Sequence, residues 1–231
     1  MLQLLDIVSL FPAMSQAALD ESIIGRAQRR KLISIRHPNL RDYAEDQRGT
    51  VDDSPFGDGV GMLLKPEIVW RCMNDLRTPE SHAVYLCPQG QPFTQGKARQ
   101  LAEHQHLILF AGHYEGIDDR ARQTLFDEEL SLGDFVLTNG IIAAAVIADA
   151  IIRLLPGVLG KDESSEEESF GGADLLEYPH FTRPATCNNL PVPEELLSGD
   201  HEAIRQWRWQ QRLIRTAARR PDLLERYLEH R

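Results

Sequence analysis

The fold is decided by two glycine-bearing segments within residues 105–160, Gln105-His-Leu-Ile-Leu-Phe-Ala-Gly-His-Tyr-Glu-Gly-Ile-Asp-Asp119 and Leu132-Gly-Asp-Phe-Val-Leu-Thr-Asn-Gly-Ile141. Residues 107–111 and 135–138 are short apolar runs typical of buried strands, and each leads into a turn that carries glycine. Because glycine has no side chain, the backbone at such turns can approach a ligand closely. The two segments therefore predict strand–turn–helix units with a small-molecule site at their turns.

Length, cysteine content and hydropathy predict a cytoplasmic protein without a membrane span. The 231 residues suffice for one large domain, or for one domain with a smaller appendage. The three cysteines, Cys72, Cys87 and Cys187, have no metal-binding spacing, so we assign no metal ligands, and an odd number argues against a disulfide framework. The sequence opens without a basic leader, and the longest apolar run, residues 141–152, is interrupted by Asp149.

The charge is unevenly distributed along the chain. A net charge of −10 argues at first against a nucleic-acid partner, because contacts to phosphate need lysine and arginine. However, residues 26–41 carry six basic side chains and no acid, and residues 202–231 carry eight arginines against four acids. Because the local field governs the encounter, the chain can bind RNA despite its acidic average.

Apolar runs alternate with helical patterns along the first two thirds of the chain, which predicts the α/β class with a largely parallel sheet covered on both faces. Ligands of such sheets bind beyond the carboxyl ends of the strands. We expect the turns at residues 88–90, 112–116 and 139–140 to converge on one crevice. The predicted strands are residues 2–11, 32–36, 83–87, 107–111 and 135–138, and the predicted helices are residues 12–30, 66–76, 94–104 and 141–155.

A long polar stretch up to Val60 contains the glycine loop Pro55-Phe-Gly-Asp-Gly-Val-Gly-Met62. Three interpretations stay open: a phosphate-binding loop, a shaped substrate loop, or a plain turn. The phosphate interpretation is the weakest, because no strand precedes the loop, its spacing is not GxGxxG, and Asp58 would repel a pyrophosphate. A substrate loop is favoured.

The helix predicted at residues 141–155 is apolar nearly all round, which indicates burial in the core or in a subunit interface. Asp149 and Arg153 lie four residues apart on one face of it. They form either an intrahelical ion pair or, with Arg153 beside the helix end at Pro156, part of a substrate site.

The remaining residues divide into an acidic segment and a helical region. Residues 160–172 have the composition of a solvated linker, and residues 194–231 are predicted to be helical. Five arginines recur there at spacings of 3, 4, 3 and 4, which favours contact with phosphates over a merely solvated face. This arginine stripe comprises Arg205, Arg208, Arg212, Arg215 and Arg219. The neighbouring face, predicted to pack, carries Ile204, Trp207, Ile214 and Ala218.

Nine segments spread over the chain share the motifs of one family. They are Ser9-Leu-Phe-Pro12, residues 51–62, Tyr85-Leu-Cys-Pro-Gln-Gly90, Gly112-His-Tyr-Glu-Gly-Ile-Asp118, residues 127–137, Arg153-Leu-Leu-Pro-Gly-Val-Leu-Gly160, Tyr178-Pro-His-Phe-Thr-Arg-Pro184, Leu197-Ser-Gly-Asp200 and Arg219-Arg-Pro-Asp-Leu223. In these segments the chain resembles the bacterial tRNA (guanine-N1)-methyltransferases, the TrmD family, over essentially its whole length.

The resemblance implies an architecture and an activity. The expected parts are a SPOUT-type, trefoil-knotted α/β domain at residues 1–160, a flexible acidic linker at 161–172 and a helical tRNA-binding domain at 173–231. Two subunits would form a homodimer with each active site at their interface. The implied reaction transfers a methyl group from S-adenosylmethionine (SAM) to N1 of guanosine 37 in tRNA, with a magnesium dependence.

N1 of guanine carries a proton at neutral pH, so methylation needs a base for this proton and a cation for the negative charge that develops on O6. By resemblance, Arg153 supplies the cation. Glu168 stands where the family has a catalytic aspartate. Two alternatives stay open, namely Glu167 as the base or a linker without a catalytic role. The corresponding functional alternatives are a catalytically silent tRNA-binding dimer and a ribose 2′-O-methyltransferase of the same fold.

Other departures from the family pattern are His113 in place of arginine, Asn139-Gly140-Ile141 in place of Gly-Gly-Glu, and Asp58 in place of glycine. The resemblance implies RNA contacts by Ser169, His180 and Arg183 in addition to the arginine stripe. It implies cofactor contacts, largely through the main chain, by Tyr85, Leu86, Pro88, Gln89, Gly112, Tyr114, Glu115, Leu132, Gly133, Asp134, Phe135, Val136, Leu137, Gly140 and Glu177.

Overall fold

The structure of the chain, a computed structural model, describes residues 1–160 and 168–229. The chain divides into two compact units, Met1–Gly160 and Lys161–Arg231. Most of the predicted linker, including Glu167, lies outside the described residues, so its assignment stays a prediction.

A five-stranded parallel sheet forms the first unit, in the order β2-β1-β6-β5-β7, which confirms the predicted α/β class and parallel sheet. Two short antiparallel ladders, β3–β4 and β8–β9, stand apart from it. The strands are β1 Leu4–Val8, β2 Ser34–Arg36, β3 Asp52–Asp53, β4 Leu63–Leu64, β5 Ser81–Pro92, β6 His106–Ala111, β7 Glu128–Ser131, β8 Thr186–Cys187 and β9 Leu190–Pro191.

Helices cover both faces of the sheet. Buried residues of α1, α2, α4 and α6 join one apolar cluster, and those of α3 and α5 join the cluster on the opposite face. Alternate residues of β6 point into the two clusters, as the period of a strand requires. The helices are α1 Pro12–Leu19, α2 Ser22–Arg29, α3 Pro66–Leu76, α4 Gln95–Ala102, α5 Asp119–Leu125, α6 Ile141–Ile152, α7 Glu194–Leu197, α8 His201–Arg219 and α9 Pro221–Glu229, with a 3-10 turn at Leu40–Tyr43.

The prediction of a strand at residues 135–138 is wrong. That segment is irregular and exposed, and the fifth strand of the sheet is instead Glu128–Ser131. This edge strand was not recognised because it carries charged side chains. These side chains are paired, since Glu128 accepts a hydrogen bond from Lys97 at 2.8 Å and Glu129 accepts one from Arg122. Since these ion pairs satisfy the carboxylates, the strand does not need the apolar pattern on which the prediction relied.

Other elements of the first unit also differ from the prediction. The helix expected at residues 12–30 is two helices, with Ser22 at φ +54° where the chain changes direction. Strand β5 extends to Pro92, but its register with β7 shifts between Leu86 and Gln91, so a bulge replaces the expected end of the strand. The polar stretch up to Val60, expected to be a long loop, contains the 3-10 turn and strand β3, which pairs with β4 just beyond it.

The second unit contains the β8–β9 hairpin and helices α7 to α9, which confirms the helical C-terminal region. The packing face predicted for α8 is only partly right, because Ile204 and Trp207 are half-buried but Ile214 and Ala218 are exposed, whereas Arg212 and Thr216 are buried. Thr216 helps to explain this orientation, since its Oγ1 accepts a hydrogen bond from the Leu176 backbone N–H at 2.9 Å. Within the described part of the chain, no helix has the length and apolar character needed to cross a membrane.

Candidate active site

A cleft of about 330 Å³ opens in the first unit at the carboxyl edge of the sheet. Three chain segments line it: the β5 bulge around Pro88, the turn after β6 at Gly112–Gly116, and the segment between β7 and α6. The structure thus brings together the three turns expected to converge. A volume of this size lies within the range of about 300 to 1,000 Å³ that is typical of small-molecule sites.

Two glycines allow the cleft walls to approach each other. A Cβ atom on Gly112 would lie 3.1 Å from the Tyr85 hydroxyl oxygen, and one on Gly140 would lie 3.0 Å from both Ala111 Cα and Gly112 N. The Gly140 backbone N–H donates to the Gly112 carbonyl at 2.9 Å, which ties the start of α6 to the end of β6. A Cβ atom at Gly140 would press against backbone, and one at Gly112 would require the Tyr85 ring to shift.

The segment before α6 presents both apolar side chains and bare backbone to the cleft. Phe135, Val136 and Leu137 are exposed apolar residues, and Val136 reaches 82% exposure. Gly133 has φ +150°, and its N–H lies 3.2 Å from the Ser131 hydroxyl. Such a lining suits a heteroaromatic ring held by van der Waals contact and by main-chain hydrogen bonds.

Arg122 braces the wall of the cleft from α5. Its guanidinium donates to both Glu129 carboxylate oxygens at 2.6 and 2.5 Å, and to the Gln89 side-chain oxygen at 2.6 Å. Cys87, in the same bulge as Gln89, places its Sγ 3.4 Å from Glu129. Arg122 thereby joins α5, β7 and the bulge of β5, and it is a neutralised structural cation rather than a free anion-binding group.

The electrostatics of this brace follow from its contacts. The hydrogen bonds from Arg122 hold the pKa of the Glu129 carboxyl below its ordinary value. Burial raises the pKa of the Cys87 thiol, and it raises the pKa of Tyr85 to about 12. At neutral pH the cleft therefore contains a protonated tyrosine and a protonated thiol beside a closed ion pair.

The turn after β6 is held by aromatic packing. The His113 ring lies edge-on to Phe11 with ring centroids 5.3 Å apart, and edge-on to Tyr114 at 4.6 Å. Tyr114 has φ +56°. Burial, followed by the charge of Asp52, raises the pKa of the Tyr114 hydroxyl. The rings fix a left-handed backbone at the edge of the cleft.

The glycine loop at residues 55–62 joins β3 to β4 and is attached to this same turn. The Glu115 N–H donates to Met62 O at 3.0 Å, and the Leu64 N–H donates to Gly116 O at 3.0 Å. A β-hairpin is not the strand–loop–helix unit that binds phosphate, so the geometry favours the substrate-loop or plain-turn interpretation. The side chain of Phe56 at its tip is 99% exposed.

The residues predicted to contact the cofactor lie in the first unit along the cleft, except for Asp134, which does not line it, and Glu177, which belongs to the second unit. The sequence did not identify Arg122 and Cys87 as parts of the site, because tertiary contacts with Glu129 of β7 place them there. Other lining residues outside the predicted cofactor set are His113, Gly116, Ile117, Leu130, Ser131, Thr138, Asn139 and Ala143.

The two predicted catalytic residues belong to different units. Arg153 is half-buried at the end of α6, where its backbone N–H donates to Asp149 O at 3.1 Å. Glu168 is half-buried at the start of the described part of the second unit, and its carbonyl accepts from Gly171 N–H at 3.0 Å. The neighbouring Ser169 hydroxyl accepts from Glu177 N–H at 3.0 Å.

The arginine stripe is not uniform. Arg212 is 7% exposed, and its Nε is 3.4 Å from the Leu176 carbonyl oxygen, so its guanidinium belongs to the packing of the unit. Arg208 lies 4.8 Å over the Tyr178 ring, and the exposed Arg205 pairs with Glu202. Arg219, like the predicted RNA contacts His180 and Arg183, is exposed, and Arg215 is half-buried.

Within residues 1–160 and 168–229, no three His, Cys, Asp or Glu side chains are grouped so that they could hold a metal ion.

Comparison with known proteins identifies the family. The family described as tRNA (guanine-1)-methyltransferase TrmD matches residues 3–226. The tRNA (guanine-N(1)-)-methyltransferase of Staphylococcus haemolyticus is 49% identical over 224 residues, covering 96% of this chain and 91% of the relative. Its counterpart in Bacillus subtilis is 48% identical over 224 residues, covering 96% and 92%. These similarities extend over both units and across every segment of the cleft, and the chain therefore belongs to the tRNA (guanine-1)-methyltransferase TrmD family.

Proposed function

We propose that the protein transfers a methyl group from SAM to N1 of guanosine 37 in tRNA. The observation that carries this proposal is the cleft formed by the three strand-end segments, within a chain that is 48% to 49% identical to relatives named tRNA (guanine-N(1)-)-methyltransferase. Because Gly112, Gly133 and Gly140 have no side chains, a ligand can approach the main chain of the cleft closely, and a fit of this kind tolerates the side-chain departures from the family.

The lining of the cleft fits SAM. Its apolar side chains and exposed main chain match the adenine and ribose of the cofactor, and the cation of the site, Arg122, is neutralised by Glu129 and so does not repel a sulfonium. When bound, SAM supplies an electrophilic methyl group. The residues of the cleft hold it in place, and Arg122 keeps Gln89 and the bulge of β5 in position.

Proton removal and charge stabilisation are assigned to Glu168 and Arg153. The Glu168 carboxylate accepts the N1 proton of the target guanine, and the Arg153 guanidinium stabilises the charge on O6. Glu168 differs from the family's aspartate by one methylene, which moves its carboxylate by about an ångström, and a displacement of that size can cost up to about 100-fold in rate.

The active species is proposed to be a trefoil-knotted homodimer, in which Glu168 of one subunit serves the cleft of the other. The exposed apolar side chains of Ile142 and Val146 on α6 support such pairing, because a helix otherwise embedded in the core leaves them uncovered. The exposed arginines of α8 would contact tRNA phosphates.

Transfer from labelled SAM to tRNA transcripts that bear G or A at position 37 tests the proposal. We expect transfer to the G37 transcript and none to the A37 transcript. Equal transfer to both would contradict the assignment. Tight tRNA binding without transfer would indicate the silent binding dimer instead.

A further inference from the structure

The second unit carries an aromatic cluster next to arginines, and the function proposed above assigns no role to the rings of Tyr178, Phe181 and Trp207. The segment at residues 178–181 contacts α8 at two places. Arg208 lies 4.8 Å over the Tyr178 ring, and the Phe181 ring lies 6.3 Å from Trp207 between centroids, at an interplanar angle of 59°. We call Tyr178, His180, Phe181 and Trp207 the aromatic platform.

The platform is partly open to solvent. Phe181 is 47% exposed, and the His180 side chain is 61% exposed, whereas Tyr178 is buried beneath Arg208. His180 lies 4.8 Å from Tyr178 between ring centroids and contacts the Glu177 carboxylate at 2.6 Å. The buried Tyr178 and the helix thus fix the position of an exposed aromatic edge.

Arginines of helix α8 lie beside the platform. Arg208 stacks over the Tyr178 ring, and Arg205 precedes it by three residues on the same helix, where it is exposed and pairs with Glu202. Arginine alone would serve any nucleic acid through phosphate contacts. An exposed aromatic face beside arginine adds a preference, because bases can stack on it only when they are not already stacked in a duplex.

We infer that the aromatic platform binds an unpaired nucleotide in a loop of the tRNA substrate, with the base stacked on Phe181 and the neighbouring phosphate near Arg205. This inference rests on the proposed function for the identity of the RNA. It assigns to the second unit a preference for loop over duplex, which phosphate contacts by the arginine stripe would not provide.

Equilibrium binding of two RNAs tests the inference: an anticodon stem–loop and a fully paired duplex of equal length, each measured over a series of salt concentrations. Phe181→Leu should weaken stem–loop binding by about 5- to 140-fold, the range expected on loss of one base–aromatic stack. It should leave duplex binding and the slope of log Kd against log salt unchanged. Phe181→Trp should retain stem–loop binding.

Arg205→Gln is the matched control. It should weaken binding of both RNAs and reduce the salt slope by about 1, because it removes a phosphate contact. Thermal unfolding and the oligomeric state of each variant exclude loss of the fold as the cause. Unchanged stem–loop affinity in Phe181→Leu, equal losses for both RNAs, or a change in oligomeric state would overturn the inference.

Failure of the proposed function can be distinguished from failure of the platform. If the wild-type protein transfers no methyl group to G37 but Phe181→Leu still loses stem–loop binding selectively, the platform stands and the proposed activity is wrong. If transfer to G37 occurs and Phe181→Leu binds the stem–loop normally, the activity stands and the platform is wrong.

Discussion

Substituting Gly140 by alanine should destabilise the first unit and weaken cofactor binding together. The added Cβ would lie 3.0 Å from Ala111 Cα and from Gly112 N, so it meets backbone that cannot rotate away. Overpacking of this kind typically costs about 1 to 3 kcal/mol. Alanine also lowers the conformational entropy of the unfolded chain, which stabilises the folded state by about 0.4 to 1 kcal/mol. The clash is the larger effect, and at about 2 to 4 °C per kcal/mol the melting temperature should fall by up to about 10 °C.

Differential scanning calorimetry and titration calorimetry with SAM measure the two effects of Gly140→Ala. Gly96→Ala is the matched control, because its Cβ would meet Thr94 Oγ1 at an ordinary 3.7 Å inside α4, where alanine is the better helix former. We expect this control to melt at or above the wild-type temperature and to bind SAM normally. If Gly140→Ala also melts and binds SAM like the wild type, the close approach of the two cleft walls does not determine the site.

Three further predictions concern Arg122, its partner and the base. The pKa of Glu129 is lowered from 4.5 because Arg122 binds the ionised carboxylate. The contribution of this ion pair to stability is therefore complete above pH 4.5 and is lost as the pH falls through the lower pKa of the folded state. Thermal unfolding measured between neutrality and about pH 3 should show this loss. Arg122→Met should reduce the loss of stability at acid pH and raise the KM for SAM more than the KM for tRNA. Unchanged KM values for both substrates would contradict the role of Arg122 in holding the cleft wall. Glu168→Gln should lose turnover while SAM binding, measured by calorimetry, persists, whereas Glu168→Asp should keep or raise the rate; full activity of Glu168→Gln would mean that another residue is the base.

Local patterns in the sequence were sufficient for much of the fold and for the location of the cleft. The helix at Pro66–Leu76 follows from a proline at its first turn and an apolar stripe, and the structure has the same bounds. The convergence of the turns at Pro88, Gly112 and Gly140 follows from the geometry of parallel strands, whose carboxyl ends share one edge. Each inference needed only neighbouring residues and the direction of the strands.

Features that depend on tertiary contacts between side chains were not predictable. Strand Glu128–Ser131 reads as polar, and its place at the sheet edge becomes clear only once Arg122 and Lys97 are seen to bind its carboxylates. For the same reason the spacing of the arginine stripe did not reveal that Arg212 turns inward to the Leu176 carbonyl. Periodicity places residues on a helix face, but the tertiary partners decide which face is buried.

The central claim is that the cleft and the proposed base direct a methyl group to N1 of guanine. Nucleoside analysis of tRNA after reaction with SAM tests it most directly, because mass spectrometry with authentic standards distinguishes N1-methylguanosine from base and ribose isomers. We predict N1-methylguanosine as the product, formed with the transcript that bears G at position 37 and not with the transcript that bears A there. A 2′-O-methylated nucleoside, or a methyl group on another atom of guanine, would contradict the account.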